Sequence, residues 1–89
     1  MKSKLLNIIN HYGIENQQRK LQEEVFELQE AITIYENSFH NIKSGIEEEL
    51  ADVQVLLDQI RFYYDIEWKD KNKIMVEKIE RQLERINNE

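Results

Sequence analysis

Hydrophobic residues recur at helical spacing along most of this chain. Over residues 21–35 and again over 46–60, apolar positions alternate four and three apart, which places them on one face of an α-helix. The first apolar seam consists of Leu21, Val25, Leu28, Ile32 and Tyr35, and the second of Ile46, Leu50, Val53, Leu57 and Ile60. The pattern predicts two long amphipathic helices, the first from about residue 15 to residue 35 or a little beyond, whose seams face each other.

Two further helices flank this pair. Residues 3–11 predict a short helix that Gly13 ends, because glycine readily takes the left-handed conformation that stops helices. A turn near residues 65–70 precedes a last helix over about 69–87, with Ile74, Ile79, Leu83 and Ile86 as its apolar positions. The polar break at 36–45 leaves two starts for the third helix, near Asn41 or at a capping box formed by Ser44 and Glu47. We therefore predict an all-α, antiparallel four-helix unit, with one short and three long helices, in a single domain over residues 1–89.

Composition narrows the class of protein. The chain has 89 residues, no cysteine, two glycines and a net charge of −6. Without cysteine there is no disulfide or thiolate metal site, which fits a reducing cytoplasm. The negative charge argues against a general nucleic-acid binder, and no apolar run approaches the roughly 20 residues of a membrane span. We expect a cytoplasmic protein that binds neither nucleic acid nor membranes.

Acidic residues occupy matching positions on the two long helices. A shift of 25 residues superposes the two seams and aligns Glu24 with Glu49 and Glu27 with Asp52. The first member of each pair lies about 60° from its seam and the second about 120°, in the same sense. In an antiparallel hairpin these offsets fall on the same side, with levels matching best if the turn centres near Ser38.

Four converging carboxylates repel one another unless a cation lies between them. Hard divalent cations such as Mg²⁺ prefer oxygen ligands, so the pattern indicates a metal site. An acidic run on a helix is more often a solvated face, and this reading stays open. The matched Glu-x-x-Asp on the facing helix favours the metal site over it.

The segments KLQEEVFELQEAI and EEELADVQVLLDQI resemble the MazG-like, all-α nucleoside triphosphate pyrophosphohydrolases. The signature of that family is E-E-x-x-E, a spacer and then E-x-x-D, here Glu23, Glu24, Glu27, Glu49 and Asp52. The resemblance implies that Glu24, Glu27, Glu49 and Asp52 hold Mg²⁺, with Mn²⁺ as the alternative ion. It also implies hydrolysis of a nucleoside triphosphate to the monophosphate and pyrophosphate, with Glu23 or Glu24 as the candidate proton acceptor.

Candidate substrate-binding residues lie beyond the acidic positions. Lys20 is one turn before Glu24, and Gln17 and Tyr63 occupy the same side of the predicted hairpin. Lys20 is a candidate phosphate ligand, although pairing with Glu24 within the helix is equally good. Tyr63 and Gln17 are candidates for the base or sugar, with packing the favoured alternative for Tyr63. Lys78 and Arg81 are further candidate phosphate ligands, which as part of a charged helix face are more often solvated.

Self-association is also expected. A chain of this length buries only roughly 60% of the surface that its unfolded form exposes. Apolar residues outside the seams need cover that one short and one charged helix do not supply, namely Phe26, Ile34, Val55 and Phe62. Together with the family resemblance, this predicts a homodimer or homotetramer. The competing function is a non-enzymatic acidic interaction module or nucleic-acid mimic, in which the acids would be spread over the surface.

Overall fold

Four α-helices make up the fold in the computed structural model, which describes residues 1–37 and 44–89. They are α1 (Lys2–Tyr12), α2 (Ile14–Asn37), α3 (Ser44–Tyr63) and α4 (Trp68–Asn87), and the described residues contain no strand. The all-α prediction is confirmed. The choice of start for the third helix, near Asn41 or at the capping box, lies outside the described residues.

No helix within the described ranges combines the length and apolarity needed to cross a membrane.

Gly13 alone separates α1 from α2. Its φ of 91° lies in the region that residues with a side chain rarely adopt, and its N–H donates to the carbonyl of Ile9. Its own carbonyl accepts from the N–H of Gln17, which begins the hydrogen-bonding of α2. The predicted glycine stop is therefore present, and it redirects the chain within a single residue.

Helices α2 and α3 are antiparallel. Gln17 contacts Gln59, and Glu24 lies within 4.8 Å of Asp52 between carboxylate oxygens. At the far end, a β-carbon placed on Gly45 would lie 3.8 Å from that of Ala31. In each of these three pairs the two residue numbers average 38. The structure therefore confirms the predicted antiparallel direction and the predicted register of α2 and α3.

The core is small and lies where α1 packs against α3 and, to a lesser extent, α2. Among the described apolar residues only Leu5, Ile9 and Leu56 are buried. The two leucines and the isoleucine bring α1 onto the flank of α3 that also carries Gln59. The centre of the packing is therefore displaced from the seams toward α1.

The prediction that the two seams fill the α2–α3 interface is wrong. Val25, Ile32, Leu50 and Leu57, all seam residues, are between 40% and 53% exposed. The reason is that α1 covers one flank of the pair, so both helices turn that flank inward. The seam residues on the opposite flank, including the four named above, then face solvent.

Helix α4 stands apart from the other three. No Cα atom of α4 lies within 8 Å of a Cα atom of another described helix, and none of its residues is buried. The turn before it contains Asp65, whose φ is 54°. The predicted helix is present, but within one chain it does not join the packed unit of α1, α2 and α3.

Candidate metal centre

Three carboxylates from two helices meet beside the small core. Oxygen atoms of Glu24, Glu49 and Asp52 all lie within 4.8 Å of one another. Glu49 and Asp52 are one turn apart on α3, and the antiparallel register places Glu24 of α2 level with Asp52. The predicted convergence of these three acids is confirmed.

Glu24 is deeply buried for an acidic residue. Its side chain is 7% exposed, because the inward-turned flank of α2 places it between the helices. One oxygen, Oε1, lies 3.1 Å from Nζ of Lys20. The other, Oε2, is buried and accepts no hydrogen bond from the described residues, and the same holds for Oε2 of Glu49. Buried polar atoms without a partner are rare in folded proteins and indicate a missing ligand or proton.

A proton is one way to satisfy this pair. A hydrogen bond between the two carboxyl groups, with burial and the charge of Glu24, raises the pKa of Glu49 to about 7. The same hydrogen bond is the main reason that the pKa of Glu24 is lowered from its usual value, which burial opposes. Glu49 is thus the acid that keeps the proton, and Glu24 is the one that stays ionised.

A cation is the other way. The oxygens of ligands that share one Mg²⁺ lie at most about 4.2 Å apart, since each is about 2.1 Å from the ion. The observed spread of up to 4.8 Å is slightly wider, so the side chains would have to close by about 0.6 Å to share one ion, and Asp52, the exposed member, is at the open side. Three carboxylates with two unpartnered buried oxygens therefore form a group that can hold a hard cation.

The other two acids of the predicted set lie at the edge of this group. Glu27 is exposed and is not one of the three acids whose oxygens converge. It is still close enough that the charge of Glu24 raises its pKa. Glu23 is exposed, with Oε2 3.7 Å from Nζ of Lys20.

Gln17 and Lys20 lie between the acidic group and open clefts. Both line a cleft of about 240 Å³ that also reaches Glu24 and Asp52. Both also line a neighbouring cleft of about 480 Å³, together with Tyr12, Asn16, Arg19 and Glu23. Lys20 pairs with Glu24 and Glu23, which is the alternative that the sequence left open for it.

The structure does not bring the remaining predicted substrate residues to this place. Tyr63 is 42% exposed, makes an edge-on contact with the ring of Tyr64, and lines neither cleft. It is not a core residue either. Lys78 and Arg81 line a separate shallow cleft on α4, the helix with no Cα atom within 8 Å of another described helix.

Gln59 belongs to the site although the sequence interpretation did not include it. It is 2% exposed, lines the smaller cleft, and its Oε1 accepts a 2.8 Å hydrogen bond from Nε2 of Gln17. The signal was present, because a register centred on position 38 pairs residue 17 with residue 59. This bond fixes Gln17 beside Lys20 and ties the two helices together at the cleft.

Comparisons of the chain with protein-family models, curated proteins and solved structures found no match. The fold and the site alone thus define the class: an all-helical protein with a cation-competent group of three acids beside two clefts.

Proposed function

We propose that this protein is a Mg²⁺-dependent nucleoside triphosphate pyrophosphohydrolase, which releases pyrophosphate and a nucleoside monophosphate. One observation carries the proposal. Glu24 is buried, no group other than a protonated Glu49 satisfies its Oε2 within the described residues, and oxygen atoms of two acids from the opposite helix lie within 4.8 Å. In a solvated acidic face or a nucleic-acid mimic, the carboxylates would be exposed rather than buried. The E-E-x-x-E and E-x-x-D pattern of the sequence supports the same function.

Glu24, Glu49 and Asp52 would hold the ion, and Glu27 is close enough to complete the set on the open side. When bound, Mg²⁺ neutralises phosphate oxygens and lowers the pKa of a water molecule. Deprotonation of Glu49 accompanies binding, since a carboxyl that keeps its proton is a poor ligand.

Lys20 has two roles in this proposal. Without the ion, its ammonium group compensates the charge of Glu24. With an ion bound beside Glu24, the half-exposed Lys20 side chain would no longer be needed for that compensation and could turn toward a phosphate in the cleft that it lines. Glu23 is the candidate proton acceptor, because it is exposed at the edge of the same cleft and is not one of the three converging acids.

The larger cleft supports a nucleotide-sized substrate. Its volume of about 480 Å³ falls within the range of small-molecule sites, roughly 300–1,000 Å³. Tyr12 supplies an exposed aromatic ring at its wall, and Arg19 and Lys20 supply positive charge. This composition suits a base together with a phosphate chain.

The test is pyrophosphate release from a panel of ribo- and deoxyribonucleoside triphosphates, with Mg²⁺, with Mn²⁺ and with chelator. Activity with at least one nucleotide in the presence of metal is expected. Asp52→Asn should abolish it, whereas Glu48→Gln should retain it, because Glu48 is an exposed neighbour on α3 outside the group. Absence of release from every nucleotide, or equal activity in both variants, would contradict the proposal.

A further inference from the structure

Two glutamine side chains lie side by side in the wall of the smaller cleft, one from α2 and one from α3. Gln17 is 8% exposed and Gln59 is 2% exposed, and both line the cleft of about 240 Å³. Nε2 of Gln17 donates a 2.8 Å hydrogen bond to Oε1 of Gln59. These two side chains are called here the amide pair.

The amide pair has more hydrogen-bonding groups than this one bond uses. A side-chain amide carries two N–H donors and an oxygen with two lone pairs. The bond to Gln59 uses one N–H of Gln17 and leaves its Oε1 over. That oxygen is not one of the enclosed atoms without a partner in the part of the chain that the structure describes. Since Gln17 lines both clefts, its remaining groups are accessible from them.

Packing of α2 against α3 does not require a polar pair at this place. Val55 and Leu56, which line the same cleft, are apolar. Replacing both members of a buried hydrogen-bonded pair by apolar groups of the same shape can be nearly neutral or stabilising. A polar pair at this depth, with donors and acceptors left over beside a cleft, therefore indicates a ligand that bonds to them.

The distance of the amide pair from the acidic group indicates which part of a nucleotide it meets. Gln17 lies seven residues before Glu24 on α2. Gln59 lies seven residues after Asp52 on α3, so the amide pair is two turns, about 10.5 Å, from the acids along the hairpin. Lys20 lies between these two levels and lines the same cleft. With phosphates bound at the acidic group and Lys20, the sugar comes next, and the base is the part that reaches the amide pair.

The chemistry of the amide pair suits both classes of base. Adenine and cytosine carry an amino donor where guanine and thymine or uracil carry an oxo acceptor. A half-turn of both amides together keeps the bond between them and reverses its direction. In one state Gln17 presents its oxygen, which matches an amino group. In the other it presents its NH₂, which matches an oxo group in the same pose.

We propose that the amide pair is the base-recognition element of this site, and that its two bonding states let it accept amino and oxo bases alike. Gln17 bonds to the base. Gln59, the more deeply buried of the two, is a positioning residue that holds Gln17 in place. The inference rests on the proposed function, because phosphates at the acidic group are what place the base at the pair.

The test is binding of nucleotide analogues measured by calorimetry, because binding does not depend on turnover. The probes are nucleoside triphosphates in Mg²⁺, with an imido group in place of the oxygen between the first two phosphorus atoms. Purine and pyrimidine series are compared, each with an amino group, an oxo group or only hydrogen at the position that separates the two classes of base. In the wild type, amino and oxo analogues should bind similarly. The hydrogen analogues should bind roughly tenfold more weakly, since they lack one hydrogen bond.

Matched variants locate the effect. Gln17→Met should lower the affinity for amino and oxo analogues to that for the hydrogen analogue, because the contact is removed. Gln59→Met should do the same, because Gln17 is no longer held. Gln18→Met makes the same change at an exposed neighbour that lines neither cleft, and should retain the wild-type differences. A pair that only ties α2 to α3 would change all affinities alike and leave the differences between analogues intact.

The outcomes separate this inference from the proposed function. Binding that ignores the amino, oxo or hydrogen group, or a dependence that survives in Gln17→Met, would overturn the inference and leave the proposed function standing. A wild type that prefers one class of base by roughly tenfold, the effect of one hydrogen bond, would overturn the two bonding states. Absence of binding by every analogue would contradict the proposed function and the inference together.

Discussion

At the scale of single residues, the negative charge of the acidic group is compensated in two ways, by Lys20 at Glu24 and by a proton at Glu49. Lys20 pairs with one oxygen of Glu24, and Glu49 keeps a proton that it would ordinarily lose and shares it with Glu24 in a hydrogen bond. In the proposed function, a metal ion would replace the proton of Glu49 in this group. The stability of the folded protein should therefore depend on both metal concentration and pH. Raising the pH removes the stabilising proton, whereas it favours binding of the metal ion.

Asp52→Asn tests the metal side of this competition. The substitution removes one negative charge while nearly keeping the shape, so in chelator the variant should melt higher than wild type. Addition of Mg²⁺ should raise the melting temperature of the variant less than that of the wild type, because the variant lacks one ligand. For the wild type, Mg²⁺ at 100 times its dissociation constant adds about 2.7 kcal/mol by binding only the folded state.

Melting curves of both proteins in chelator and in millimolar Mg²⁺ measure the effect, with Glu48→Gln as the matched control. Glu48 also loses one charge but lies outside the group, so its Mg²⁺-induced shift should equal that of wild type. An equal shift in Asp52→Asn as well would mean that Asp52 is not a ligand.

Glu49→Gln tests the proton side. The folded protein holds the Glu49 proton up to pH about 7, whereas the unfolded chain loses it near the usual value of 4.5. Raising the pH through this window therefore favours the unfolded state. In chelator, the melting temperature of the wild type should fall from pH 5 to pH 8. The glutamine donates a hydrogen bond and does not titrate, so the variant should lose this part of the fall.

Glu24 does not disturb the comparison, because its lowered pKa acts below 4.5, where stability is lost as pH falls. Glu48→Gln should retain the wild-type fall. In Mg²⁺ the wild-type dependence should flatten, since the ion replaces the proton at higher pH. Parallel curves for wild type and Glu49→Gln in chelator would show that Glu49 does not hold a proton near neutrality.

For the acidic residues, the sequence predicted the positions correctly but did not predict that Glu24 is buried. The repeated offset located Glu24, Glu49 and Asp52 correctly, because helical geometry fixes angle and the antiparallel register fixes level. The sequence interpretation took the apolar seam as the centre of the interface, which places acids at an edge. In the structure α1 moves that centre toward the acids, so Glu24 is inside. A helix pair considered alone does not contain that information.

At the scale of elements, the helix ends are the best-predicted features, and Gly13 is the clearest of them. The predicted bounds agree with the structure within two residues wherever the described residues allow comparison. Gly13 has a positive φ with nothing within 4 Å of an added β-carbon, so its role is purely conformational. The sequence pattern did not predict which helix packs on which face. An amphipathic stripe indicates that a helix face is buried, but it does not identify the element that buries it.

Gly13→Ala and Gly45→Ala should have opposite effects on stability. At Gly13 an added β-carbon meets no atom, but alanine would have to adopt φ 91° and ψ 149°, a conformation almost restricted to glycine, which should cost about 1–3 kcal/mol. Gly45 is helical and its β-carbon would make an ordinary 3.8 Å contact with Ala31. There alanine should stabilise the folded state by about 0.5–1 kcal/mol.

Chemical denaturation of the two variants beside the wild type measures both effects. The comparison is controlled internally, since the two substitutions make the same change in composition. Stabilisation by Gly13→Ala would mean that the α1–α2 junction relaxes to another conformation, and it would contradict the single-residue turn described here.

At the scale of the whole molecule, the described residues bury only three apolar side chains, and the chain exposes about 1,800 Å² more than the area relation for monomers gives. Both observations support the expected self-association, in which folding and association would be coupled. The acidic group, in contrast, lies within α2 and α3 of one chain. Association and metal binding should therefore stabilise the protein separately. The sequence pointed to self-association through unburied apolar residues, but the residues it named were outside the seams, and the seams themselves are part of the open surface.

The melting temperature should accordingly rise with chain concentration. A hundredfold increase in concentration contributes about 2.7 kcal/mol to a dimer, which for an assembly of this size is a rise of about 5–10 °C. The rise should appear in chelator and in Mg²⁺ alike, and at each concentration Mg²⁺ should add a similar further shift. Calorimetry over that range in both buffers measures the two effects together. A melting temperature independent of concentration would mean that one chain folds alone despite its exposed surface, whereas a Mg²⁺ shift that grows with concentration would mean that the partner completes the metal site.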